Sequence, residues 1–231
     1  MTTKKINKSL SSPPLIMDSL SKHFTEHLLA IDNTITPVIS QALWQDVANH
    51  YSEYVRAYHN LTHLQHLFEQ FAHLRDKLEQ PHIVALALFY HDIIYDPTQP
   101  DNELNSAKYA VAQLQNHLTA EQHQRIYALI IMTATHQLGD NNDNISDSDA
   151  AFLLDMDLSI LGADWADYER YAQAVRQEYA HVAIDDYRNG RTAVLEGLLA
   201  HDRLYLTDDY YQRLEHIARR NIECEITAIA V

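Results

Sequence analysis

The chain has 231 residues, enough for one large domain or two small ones with a sizeable buried core. Its formal net charge is −15, from 17 Lys and Arg against 32 Asp and Glu, so its surface repels nucleic-acid backbone and anionic membrane. Glycine (4 residues) and proline (6 residues) are sparse, which favours helices on short loops; neither a dinucleotide-binding glycine fingerprint nor a P-loop occurs. One cysteine, Cys224, excludes an intramolecular disulfide framework and fits a reducing compartment. No apolar run approaches the ~18 residues of a membrane span, and Lys4, Lys5 and Lys8 are followed by polar residues instead of a signal-peptide core. The expectation is a soluble cytoplasmic protein without a nucleic-acid polymer or membrane as partner, its oligomeric state open.

Residues 1–14 are polar, end in Pro13-Pro14 and read as a disordered tail. A helical apolar period runs from Ile16 to Ile31, and Thr36-Pro37 opens a second helix reaching about Tyr58. Asn60 is a candidate N-cap for a third helix with Leu64, Leu67, Phe71 and Leu74 on one face. The stretch from Pro81 to about Tyr95 is apolar all round, the mark of a buried helix. A turn cluster at 96–102 precedes a helix from Glu103 to Leu118, and Thr119 with Gln122 forms a capping-box pattern for a helix reaching Leu138. After an acidic loop at 139–149, helices are expected at Ala150–Leu161, Trp165–Ala180, Arg191–Leu204 and Asp208–Ile226. No strand alternation, repeat or long linker is visible, so residues 15–231 read as one all-α domain.

Four places put metal-type ligands into apolar segments. His59 and His63 are four residues apart, which gives one face if they share a helix; with Asn60 as cap, His59 lies outside it. His91 and Asp92 are adjacent within the most apolar helix, where an unpaired carboxylate is costly and a divalent cation or a histidine–aspartate contact removes the cost. His136 lies near a helix C-terminus, where a structural role is the ordinary one. Asp155 and Asp157 lie inside LLDMDLSIL, and a solvated face does not explain them.

The ordered set YHNxxH (58–63), FYHDIIYD (89–96), NExxSA (102–107), LDMDLSILG (154–162), RxEY (176–179) and GR (190–191) resembles the HD-domain superfamily of metal-dependent phosphohydrolases. More closely it is similar to a bacterial subgroup with no established substrate, over residues 40 to 225. The resemblance implies an HD-type helical bundle with His59, His91, Asp92 and Asp157 as metal ligands. It leaves Asp155 to orient a ligand histidine. Glu103 stands where several relatives carry a further histidine, so one ion or two remains open.

Two histidines and two aspartates suit Mn, Fe, Co, Ni or Zn, with Mg also open. Such an ion activates water for attack on a phosphomonoester or pyrophosphate of a small, nucleotide-like metabolite. Asp92, Glu103 and His136 are the candidates for moving the proton. Arg56, Arg176 and Arg191, with His63 and Tyr95, are the expected contacts to a phosphorylated substrate. Arg176 with Glu178 also reads as an ion pair, and Tyr95, Tyr168, Tyr171 and Tyr179 as core. The alternatives are a di-iron oxygenase of the same superfamily, with His63 and His136 as extra ligands, and a non-catalytic nucleotide or metal sensor.

Overall fold

A computed structural model describes residues 13–138 and 147–230. Its ten α-helices are α1 (Pro13–Ile31), α2 (Pro37–His50), α3 (Leu61–Leu74), α4 (Pro81–Tyr90), α5 (Asn102–Leu114), α6 (Ala120–Thr133), α7 (Ser148–Asp157), α8 (Trp165–Glu178), α9 (Ile184–Leu199) and α10 (Asp208–Ile229). Short 3-10 turns follow α3 at Arg75–Lys77 and α7 at Leu158–Gly162. There is no strand among the described residues, so the fold is all-α, as the sequence implies.

The bundle is built around α4. Every residue from Ile83 to Tyr90 is buried, and α1, α3, α5, α6 and α7 pack on its sides. Phe24 of α1 meets Phe89 edge-on at 5.1 Å, and Phe68 of α3 lies against the same ring at 4.2 Å. A helix with no polar stripe has no face to give to water, which is why it takes the centre. The start of α7 is tied to it as well, since the buried Asp149 carboxylate accepts the Glu79 and Gln80 amides at 2.8 Å each.

Several helix ends differ from the sequence expectation, and the differences matter at the site. Pro13 and Pro14 belong to the first turn of α1 instead of a tail, a position that tolerates proline; residues 1–12 lie outside the described residues. Helix α2 ends at His50, so Tyr51 to Asn60 form a loop, and Asn60 caps α3 by accepting the Thr62 amide. Helix α4 ends at Tyr90, not near Tyr95. The carbonyls of Asp92 and Ile93 are taken by the Arg56 guanidinium at 2.6 and 2.8 Å, which replaces the amides a continuing helix would supply. Helix α6 stops at Thr133, five residues early, and its C-terminal turn leaves His136 at φ 51. Of the acidic loop, 139–146 lie outside the described residues, whereas Asp147 caps α7 and pairs with Arg125. Gly162 closes the turn after α7, where a Cβ would come within 2.6 Å of Leu214 Cβ on α10.

Candidate metal centre

The C-terminal end of α4 meets the N-terminal turn of α3 and the C-terminal end of α7, and four side chains converge there. His91 Nε2 lies 3.0 Å from Asp92 Oδ2 and 3.5 Å from Asp157 Oδ1. His63 Nε2 lies 3.3 Å from His91 Nε2, 3.7 Å from Asp92 Oδ2 and 3.5 Å from Asp157 Oδ1. Both imidazoles are nearly sealed, at 3% and 1% exposure, and the carboxylates open slightly onto a cavity. The His91 ring is fixed from behind: its Nδ1 donates to the Leu88 carbonyl at 2.8 Å, leaving the Nε2 lone pair aimed at the cluster.

The spacings fit one ion. At metal–ligand distances of ~2.1 Å, neighbouring ligand atoms around a tetrahedral or octahedral ion stand about 3.0–3.4 Å apart. The five separations that involve the two imidazoles, 3.0 to 3.7 Å, lie at or just above that range, and His63, His91 and Asp92 are the three whose ligand atoms all lie within 4.8 Å of one another. Two imidazole nitrogens facing each other with two carboxylates beside them also need a shared positive charge, either a proton or a cation. Burial works to lower His91, but the Asp92 and Asp157 carboxylates outweigh it and hold the imidazole well above its ordinary value. Burial likewise works to raise Asp92 and Asp157, and the nearby histidines pull both below the usual carboxylate range. His63 goes the other way, lowered chiefly by burial.

His59 does not join this convergence. It sits in the loop before α3, and its Nδ1 donates to Glu178 Oε2 at 2.8 Å. Glu178, buried at the end of α8, also accepts the Tyr58 amide (2.7 Å), the His59 amide (3.0 Å) and the Tyr95 hydroxyl (2.8 Å). One carboxylate thereby fixes the loop, the ring and its tautomer, and His59 lines the cavity. The Tyr95 ring covers the His59 ring at 4.3 Å. For His59, burial is opposed by the Glu178 hydrogen bond and the Asp92 charge, with a net upward shift.

His136 reaches the other oxygen of Asp157, with Nε2 3.0 Å from Oδ2. It does so from a left-handed backbone, φ 51, which is uncommon outside glycine although histidine, like asparagine and aspartate, adopts it more readily than most residues. Asp155 points elsewhere: its carboxylate accepts the Leu206 amide, the Thr207 amide and the Thr207 hydroxyl, tying α7 to the start of α10. It does not orient a ligand histidine. Of the two aspartates, Asp157 faces the cluster.

A cavity of about 140 Å³ opens on the site. It is lined by the polar residues His59, Asp92, Glu103, His136, Asp157 and Thr133 and by Tyr58, Tyr171, Leu158, Ile160 and Leu161. The three arginines expected at a phosphate are not among them. Arg56 is buried and spends its donors on Glu53 and on the carbonyls of His59, Asp92 and Ile93, between the Tyr51 and Tyr95 rings. Arg176 closes the end of α8 on the Tyr179 and Val182 carbonyls instead of pairing with Glu178. Arg191 is held by both oxygens of Glu225, at 2.8 and 3.0 Å, behind the Tyr171 ring. Tyr95 turns its hydroxyl to Glu178 and does not line the cavity. Within NExxSA, Asn102 and Ser106 bond the Asp96 and Ile94 backbone, which leaves Glu103 on the cavity wall. The role of Glu178 escaped the sequence reading; the RxEY run was its only mark.

No family model, curated protein or solved structure matches this chain.

Proposed function

We propose that the chain is a metal-dependent phosphohydrolase of the HD type, acting in the cytoplasm on a small phosphorylated metabolite. The observation that supports this reading is the group formed by His63, His91 and Asp92, whose ligand atoms lie within 4.8 Å of one another, with Asp157 Oδ1 3.5 Å from both imidazoles. The ligand set differs from the resemblance in one member: His63 stands in the cluster where His59 was expected. When bound, such an ion supplies a water of lowered pKa and polarises a phosphoryl oxygen.

The chain's own residues do the rest. Glu178 holds His59 in the cavity lining, where it meets a phosphoryl oxygen or the leaving group. His136 fixes the outer oxygen of Asp157. Glu103 stands on the wall as a proton acceptor for the attacking water. The test is elemental analysis of the purified protein, then a phosphate-release screen with Mn, Co, Ni, Zn and Mg. His91→Ala is expected to lose bound metal and hydrolysis together while its helical circular dichroism persists; unchanged metal content in that variant would sink the assignment.

One observation favours a second reading. His59 and His136 bring two further imidazoles to the same cavity, as a two-iron oxygenase of the same superfamily would use. Two irons per chain with oxygen uptake and no phosphate release would select it.

A further inference from the structure

If the site is a phosphohydrolase centre, its walls restrict what the substrate carries. The cavity presents three carboxylates, Asp92, Glu103 and Asp157, and neither a lysine nor an arginine among its lining residues. The cations that come nearest are spent on other partners. Arg56 is saturated by carbonyls, and Arg191 is neutralised by both oxygens of Glu225 behind Tyr171. The segment 139–146 that follows His136 in sequence contains no lysine or arginine. One dication is therefore already outweighed by the carboxylates, and among the described lining residues His59 is left to meet further negative charge, since His136 is held by Asp157. The rest of the lining, including Tyr58, Tyr171, Leu158 and Ile160, offers rings and hydrocarbon with no fixed charge.

We infer that the substrate is a phosphomonoester bearing a single phosphoryl group on an uncharged, partly apolar organic moiety, and that di- and triphosphates are excluded by the charge of the walls. Phosphate recognition without metal normally recruits arginine forks or a cradle of amides; this cavity has no such fork, so each phosphoryl group beyond the first meets Glu103 and the ligand aspartates unscreened. In the reaction the water oxygen forms the new bond to phosphorus and the ester P–O bond breaks. The proton released by the water ends on the departing alkoxide, giving an alcohol and inorganic phosphate.

The experiment compares kcat/KM for p-nitrophenyl phosphate and for adenosine mono-, di- and triphosphate, using the full chain with the metal that supports the highest phosphate release. The expected result is a preference for the monophosphates over the di- and triphosphate of at least about tenfold, weakening as salt screens the walls. Ile160→Lys, which places a cation in the lining, should shrink that preference several-fold with helical circular dichroism retained. Equal or faster turnover of adenosine di- or triphosphate overturns the inference and leaves the hydrolase reading standing. A preference unmoved by both salt and Ile160→Lys also overturns it. No phosphate release from any of the four, with metal bound, removes the hydrolase reading and this inference with it.

Discussion

Helix α4 carries a histidine–histidine contact at each end, and the two behave oppositely. At its N-terminal end His82 Nδ1 lies 3.0 Å from His27 Nδ1 of α1, against the Phe68 and Phe71 rings. At its C-terminal end His91 Nε2 lies 3.3 Å from His63 Nε2 of α3. The first pair has no carboxylate in hydrogen-bonding contact, and burial followed by the neighbouring His82 pushes His27 down to about 4. The second has Asp92 and Asp157 within 3.7 Å, and His91 is held up by them. Imidazole pairing by itself is a way to pack two polar rings into a core. The carboxylates give one pair a negative surround and leave the other a neutral hydrogen bond.

Truncating one histidine from each pair gives the largest contrast. His63→Ala is expected to abolish metal binding measured by elemental analysis and to cut phosphate release at least about a hundredfold, the scale of losing a preorganised charged group. His27→Ala should leave metal content and turnover unchanged and lower only the melting temperature, since it opens a cavity beside Phe68 and Phe71. Full metal in the first variant, or loss of metal in the second, would erase the distinction between the two ends.

A smaller effect is expected from Glu178→Gln, which sharpens the contrast from the cavity side. The amide is a weaker acceptor for His59 Nδ1 and releases the tautomer that the carboxylate enforces. Partners of this kind cost roughly 10–100-fold in affinity or activity when replaced. The loss should fall on turnover, with metal still present by elemental analysis. A loss of metal as large as that of His63→Ala would instead make His59 a ligand.

Much of this was legible in the chain and some was not, for identifiable reasons. The apolar run of α4 announced the central helix, and the absence of strand alternation announced the all-α fold. Asp157 lies beside the HD pair, whereas Asp155, expected to orient a ligand histidine, serves the start of α10. The division of labour between His59 and His63 depends on where α2 stops. The loop that follows α2 is tied down by Arg56, whose acceptors Asp92 and Ile93 lie 36 and 37 residues away in sequence. Local periodicity cannot carry information at that range. The same blindness explains the arginines: in so acidic a chain each stood out as a free cation, yet carbonyls and Glu225 had already taken them.

The smallest expected effect is the share of the pH dependence of stability that the N-terminal pair carries. The folded state holds His27 near 4 against an ordinary 6.5, so between those values the unfolded chain binds the proton that the folded chain refuses. A lowered histidine contributes stability that is fully present above about 6.5 and is lost as pH falls towards 4. His82 is lowered too and acts in the same direction, while Glu26 favours the proton on His27 and Arg75 and His23 oppose it. Between pH 7 and pH 5 the His27 share amounts to at most about 2 kcal/mol, or roughly 4–8 °C in melting temperature for a chain of this size. His27→Leu should flatten the melting temperature over that interval by a comparable amount. Because any bound metal would add its own pH dependence, the comparison is made in chelator. There the C-terminal pair contributes equally to both proteins, and any remaining difference is due to His27.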